Sequence, residues 1–411
     1  MSAVSRVVIF APDVVPDGDV PASGPGIRAA EVAAALRAAS HEVILAVPAG
    51  RGDVRWTPST AAALAGSADA VILGQGHAEL GRRLSRDAPH DLPIVVDCYA
   101  PGIIEHALLA PDARAFPAFR RRAAELLQRG DLFLVANERQ RLFTLGELAA
   151  LGRIDPCTID HPPLLEVGYG VPSVPPAGDP SVAAGVVPDG APIAIWFGGV
   201  YPWFDAVTAI KGFALALERC PAAHLVIVGG RHPREHAPAR ELERARAEIA
   251  RLSLEERVHE APWLPYDRRA DWYAAADCAI CLQHDGVERE LAHRTRLLDL
   301  IWGRLPIVCS QGDAVGDLVG RSGAGVTCPI GDDVAVGAAL AELLSNSAPR
   351  ASCRASADAL ADSLTWDKVV APLATWLEAP RLARDRELER ASWARAAAAV
   401  ARAARERRVR R

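Results

Sequence analysis

The 411-residue sequence predicts two α/β domains in series, each a parallel, doubly wound Rossmann-like sheet, facing each other across a cleft. Three observations predict it. Short apolar runs alternate with Ala-, Leu- and Arg-rich stretches of helical length, a Pro- and Gly-rich interval interrupts the alternation near the middle, and the same alternation then restarts. The length agrees, because a chain of this size exceeds one ordinary core.

In the first half, strands are expected at Arg6–Phe10, Glu42–Val47, Ala70–Gly74, Ile94–Cys98 and Leu132–Ala136, with helices such as Ala29–Ala39 and Ala118–Gln128 between them. From Gly168 to Pro192 no periodicity survives, and the linker is placed at 173–192. Strands resume at Ile193–Phe197, Leu225–Val228, Val258–Glu260, Cys278–Leu282, Ile307–Ser310 and Gly325–Cys328. Helices are expected at Ala206–Arg219, Ala239–Leu252, Arg269–Ala275 and Ala292–Trp302. The domains are therefore 1–172 and 193–375, followed by a helical tail at 376–411.

Composition narrows the classes of function. The net charge of −5 offers no general attraction to nucleic acid. No apolar run approaches the ~20 residues that cross a bilayer, and the first apolar stretch runs into Pro12-Asp13 with no cleavage-site pattern. A cytoplasmic protein is expected. From Arg381 to Arg411, eleven Arg stand against four acids, which leaves peripheral contact with the inner membrane face as an alternative to a solvated helix. Lys occurs only at Lys211 and Lys368, a composition suggesting a GC-rich bacterial genome. Cys278 and Cys281 match C-x-x-C, but strand alternation sends them to opposite faces, so core packing is expected rather than a metal or redox pair.

Three segments carry candidate chemistry. Ser23-Gly24-Pro25-Gly26-Ile27-Arg28 opens a helix, where unpaired amides attract anions; Gly26 would let backbone approach a ligand and Arg28 would add charge. A tight turn explains the glycines equally. Gly198-Gly199 ends the first strand of the second half and leads into Tyr201-Pro202-Trp203-Phe204, aromatics that would cover a sugar ring or plug the domain interface. The polar run Asp285–Asp299 enters a helix that sets Thr295, Arg296 and Asp299 on one stripe, with Arg294 at the first turn. Carboxylates suit hydroxyl recognition and Arg suits a diphosphate.

Four segments together resemble the retaining GT-B glycosyltransferases, most closely family 4 (glycosyl transferases group 1). They are Gly24–Arg28; Asn137-Glu138-Arg139-Gln140-Arg141 with Leu145-Gly146; Phe197-Gly198-Gly199; and Arg294–Asp299 through Gly303-Arg304-Leu305-Pro306-Ile307-Val308. Trp263-Leu264-Pro265-Tyr266 resembles the family's base-binding turn. The likeness covers about residues 5 to 375, in order. It implies a nucleotide-sugar donor held by the second domain: the base near Trp263, Pro265 and Tyr266, the ribose at Asp299, and the diphosphate between Gly26, Gly198, Gly199 and Arg294, with Thr295 and Arg296 beside it.

The chain departs from the family pattern of two Glu eight positions apart: Asp299 holds the second place and Leu291 the first. Glu288 or Glu290 must then face the sugar. Glu290, Arg294 and His106 are the catalytic candidates, and Arg28, His77, Asp97, Tyr99 and Glu105 are the acceptor-side ones. The resemblance implies a metal-independent, front-face transfer with the nucleotide-sugar as co-substrate and no further cofactor, and the sequence offers no convincing D-x-D loop or His/Asp cluster. The acceptor would be a small molecule, glycan or lipid, and Phe116, Phe119 and Arg120-Arg121-Arg122 suggest an amphiphilic or anionic one. A nucleotide-sugar epimerase and a non-catalytic nucleotide-sugar-binding partner subunit remain as alternatives.

Overall fold

The computed structural model describes residues 4–388 apart from 19, 21, 88, 90, 110–113, 115, 232 and 234–238. The first sheet contains β1 (Arg6–Phe10), β2 (Glu42–Val47), β3 (Val54–Arg55), β4 (Ala70–Gly74), β5 (Ile94–Asp97), β6 (Leu132–Val135) and β7 (Leu164–Glu166). It is wholly parallel, in the order β3-β2-β1-β4-β5-β6-β7. The second sheet is parallel too. It contains β8 (Ile193–Gly199), β9 (His224–Gly230), β10 (Val258–Ala261), β11 (Cys278–Cys281), β12 (Ile307–Ser310) and β13 (Gly325–Cys328), in the order β10-β9-β8-β11-β12-β13. Central strands are buried on both faces, and this explains why they read as unbroken Val/Ile/Leu runs. Edge strands β3 and β7, two and three residues long, carry too little apolar pattern to have been expected.

Helices of the first domain are α1 (Gly24–Ala38), α2 (Ala61–Ala65), α3 (Ala78–Asp87), α4 (Gly102–Leu109), α5 (Phe116–Arg129) and α6 (Glu138–Ala150). Those that follow are α7 (Ala206–Ala216), α8 (Arg240–Arg251), α9 (Arg269–Ala275), α10 (Val287–Leu291), α11 (Thr295–Trp302), α12 (Ala314–Ser322), α13 (Asp333–Ser345), α14 (Ser347–Ser363) and α15 (Trp366–Leu377). The expected helix Ala292–Trp302 begins three residues later, because Ala292 and Arg294 are extended and separate it from α10. No described helix is long and apolar enough to cross a membrane.

The chain crosses back to where it started. Helix α15 packs on α1, with Ser5 Oγ donating to Leu377 O and the His41 ring 3.1 Å from Ala374 O. Beyond it, Asp385 pairs with Arg153 and Arg386 with Asp131, so the start of the basic tail docks on the first domain instead of standing in solvent. The rest of the tail, 389–411, lies outside the described residues. Cys278 and Cys281 are free and fully buried in β11, as core side chains.

Candidate active site

Strand order reverses at β1/β4 and at β8/β11, and an open cleft of about 870 Å³ lies past the strand ends, lined by both domains. On the second-domain side, β8 and β9 end in glycine pairs that are in register, Gly198 beside Gly229 and Gly199 beside Gly230. Gly198 and Gly229 have φ of 92° and 93°, a left-handed backbone that side chains disfavour. A β-carbon at Gly198 would stand 3.1 Å from Arg296 Nη2, and one at Gly229 would stand 2.9 Å from the Trp263 ring. The glycines thus keep a side-chain-free floor between Arg296 and Trp263.

Arg294 is the N-cap residue of α11, and a guanidinium accepts no hydrogen bond, so the first-turn amides have no side-chain cap. Arg294 itself is buried and ion-paired with Glu288. Arg296 donates to Gly199 O and lies 4.0 Å from the centre of the Phe204 ring. Among the described residues, the buried Nε of Arg294 and Nη1 of Arg296 have no acceptor. Two guanidiniums with donors to spare, an uncapped helix start and a bare glycine floor make a site that suits a diphosphate.

At the far end of the same floor, Asp299 meets Arg269 at 3.3 Å. Burial raises the Asp299 carboxyl while Arg269 opposes that rise. The Arg269 guanidinium lies between the Tyr266 and Trp302 rings, 3.7 and 4.2 Å from their centres. Tyr266 OH reaches Glu31 on α1, at 3.5 Å, so this end of the cleft is spanned by both domains. Trp203 stacks on Tyr201 at 5.1 Å and lines the cleft with Thr295, Trp263 and Pro265.

The first domain contributes Ser23, Gln75, Asp97, Tyr99 and Glu105. Glu105, on α4, faces the Glu288–Arg294 pair. Burial and the Glu288 charge raise its carboxyl to about 7, against the lowering pull of Arg294. Burial pushes the Tyr99 hydroxyl up as well.

Six expected site residues do other work. Gly26 lies within the first turn of α1, where a β-carbon would meet Val14 O at 1.9 Å; it permits backbone packing and does not line the cleft. Arg28 is buried and fully engaged, binding Asp97 through two bonds of 2.7 and 3.0 Å and donating to Val167 O and Gly168 O, so it braces Asp97 rather than meeting a ligand. His77 packs edge-on against Trp56 and burial lowers it to about 4. His106 stacks on Phe119 with ring centres 3.8 Å apart, outside the cleft lining. Glu290 points to solvent, its side chain 64% exposed, because α10 turns the alternate position, Glu288, inward. Glu288 in turn is the counterion of Arg294 and does not line the cleft.

Sequence reasoning missed Arg269, Gly229, Gln75 and His293, all in the cleft lining. Arg269 was legible in principle, since a buried Asp299 needs a cation. His293 carries no such signal. Its Nε2 accepts the Tyr169 N–H at 3.3 Å, and burial with the Arg28 charge lowers it to about 3, so it acts as a neutral strut. The Asn137–Arg141 segment serves the domain interface: Gln140 donates to Tyr99 O and Leu291 O, and Arg139 to Gly312 O and Asp317.

Two facing Rossmann-like domains with a cleft between them define an architecture of the GT-B type. Residues 191–346, which carry β8 to β13 and every donor-side residue above, match the family described as Glycosyl transferases group 1. Solved structures share the architecture. HepE from Anabaena, in complex with UDP and glucose, is 15% identical with a TM-score of 0.65, covering 91% of this chain and 100% of that one. Sucrose-phosphate synthase from Thermosynechococcus elongatus is 14% identical with a TM-score of 0.62, over 90% of this chain and 97% of that one. WaaG, a glycosyltransferase involved in lipopolysaccharide biosynthesis, is also 14% identical, with a TM-score of 0.60 over 91% and 100%. At these identities the likeness is one of fold. No curated protein matches the chain by sequence.

Proposed function

We propose that the protein is a retaining glycosyltransferase that moves a hexose-type sugar from a nucleoside diphosphate sugar to an acceptor hydroxyl. The observation that carries this reading is the convergence of Arg294, Arg296, the uncapped start of α11 and the Gly198/Gly229 floor at one point of the cleft. The base would lie along Trp263–Tyr266, with the ribose hydroxyls at Asp299. The acceptor, on the first-domain side, would attack the anomeric carbon from the face the diphosphate leaves. The new carbon–oxygen bond forms as the bond to the β-phosphate oxygen breaks, and the hydroxyl proton passes to the departing diphosphate.

The protein's part is alignment and charge stabilisation. Guanidiniums and amides meet the phosphate charge, so transfer is expected without a bound metal, and the protein is expected in the cytoplasm with at most peripheral membrane contact. A UDP-sugar is the first donor to try, since HepE was solved with UDP and glucose. A second reading, a nucleotide-sugar-binding partner without turnover, has one observation behind it: Glu290 faces solvent and Glu288 is neutralised by Arg294.

Turnover separates the two. The full chain, given UDP-, GDP-, dTDP- and ADP-sugars with EDTA present, should release nucleotide slowly and yield sugar of the donor's own anomeric configuration by NMR. Inverted configuration, or activity abolished by EDTA, contradicts the proposal. Diphosphate binding without product across donors and acceptors supports the partner reading.

A further inference from the structure

Helix α4 is apolar at five of its eight positions, yet none of its residues is buried. Two of its faces are accounted for. Ile103 looks into the domain beside Leu126 and Leu127, while Glu105 and Leu109, four positions apart, line the cleft. Ile104, Ala107 and Leu108 share a third face at helical spacing, and it opens to solvent: Ile104 is half-buried, Ala107 exposed and Leu108 48% exposed. Alongside, α5 carries Arg120, Arg121 and Arg122, all exposed and none of them paired among the described residues. The one acid of α5, Glu125, is taken by Arg82 at 2.8 Å. The rings of His106 and Phe119 stack with centres 3.8 Å apart, and Phe116 lies against both, so the apolar stripe of α4 adjoins the arginine row of α5. None of these exposed groups lines the cleft, so Phe116, Phe119 and the arginines do not hold an acceptor within it, contrary to the expectation from the sequence.

A single bound phosphate would need the three guanidiniums to converge. Successive helix residues turn by about 100°, so three in a row fan over about 200° and reach separate anions. A plane of headgroup phosphates meets that fan, because long arginine stems bend toward it, and an apolar stripe beside them suits the boundary between headgroups and acyl chains. We propose that this face of the first domain docks on an anionic phospholipid bilayer, with Ile104, Ala107 and Leu108 entering the interfacial layer and Arg120, Arg121 and Arg122 on the headgroup phosphates. Because Glu105 and Leu109 on the next face of α4 line the cleft, docking holds the acceptor side of the cleft at the lipid surface. The docking rests on exposed residues of the first domain and does not depend on the donor site.

The test is co-sedimentation of the full chain with vesicles of phosphatidylcholine alone, or of phosphatidylcholine and phosphatidylglycerol in equal parts. The protein should bind the mixed vesicles and not the neutral ones, and about 1 M salt, which shortens screening to about 3 Å, should release it. Each arginine at an anionic surface contributes about fivefold to the partition coefficient, so the triple variant Arg120→Gln/Arg121→Gln/Arg122→Gln should lower it about a hundredfold. Leu108→Ser should lower it about tenfold, the order expected for withdrawing one leucine from the interface. All four positions are exposed or nearly so, and unchanged melting of each variant separates lost docking from lost fold. The basic end of the chain is the competing source of lipid attraction, and a second variant with Arg405, Arg407, Arg408, Arg410 and Arg411 changed to Gln should keep most of the binding. Absence of binding to the mixed vesicles overturns the proposal. So does binding that the end variant abolishes and the triple variant leaves intact, binding indifferent to Leu108→Ser, or thermal stabilisation by soluble glycerol phosphate that the triple variant removes, which would make the arginines a site for a free anion. The nucleotide site is read separately, by melting with nucleoside diphosphates, and stands or falls on its own.

Discussion

Glu288 and Glu290 are two positions apart on α10, yet one is the buried counterion of Arg294 and the other points to solvent. Removing one partner of a buried pair leaves an uncompensated charge, so Glu288→Ala should cost about 3–5 kcal/mol in chemical denaturation, and Glu290→Ala about 0.5 kcal/mol or less. Glu105 gives a pH-dependent counterpart. Its carboxyl, raised from 4.5 to about 7, binds its proton more tightly in the folded chain. The stability it contributes is fully present below pH 4.5 and is lost as pH rises through 7. Glu105→Gln removes that titration. The variant should therefore gain on the wild type between pH 5 and pH 8, by about 1–2 kcal/mol after allowing for partial contact with water. Equal differences at the two pH values, measured by denaturation, would contradict the assignment.

At the scale of elements, the site is made by how strands end and helices begin. Two parallel strands finish together on Gly198 and Gly229, both in the left-handed region, and α11 starts with a residue that cannot cap it. Gly229→Ala would strain its backbone by about 1–3 kcal/mol and push the Trp263 ring. It should weaken nucleotide binding by tenfold or more in calorimetry, whereas unchanged affinity would remove the glycine floor from the account. Much of this was legible in the sequence. The buried strands declared themselves as apolar runs, and Gly198-Gly199, Trp263 and Arg294–Asp299 stood out by type and spacing. Partnership was not legible. Gly26 and Arg28 look like ligand residues, yet they answer to Val14, Asp97 and the backbone at 167–168, contacts set by tertiary packing. His106 fails for the same reason, its ring spent on Phe119.

The whole molecule holds its two halves in register through few but specific contacts. Gln140 and Arg139 reach from α6 to the second domain, Tyr266 reaches Glu31, and α15 returns to pack on α1. The cleft is therefore a property of the assembled pair of domains, with the Arg269, Arg294 and Arg296 guanidiniums on one wall and the Asp97 and Glu105 carboxyls on the other. That division is the central claim, and nucleotide binding tests it most directly. Thermal melting of the full chain would be followed with UDP, GDP, dTDP, ADP and CMP, on the wild type and on the Glu288→Gln/Arg294→Gln double variant, which removes both charges of the pair together. A ligand at 100 times its Kd adds about 2.7 kcal/mol, several degrees for domains of this size. One diphosphate should stabilise the wild type by that order, and the double variant should fold but lose most of the shift. No shift with any nucleotide, or an undiminished shift in the double variant, would contradict the donor site described for α11.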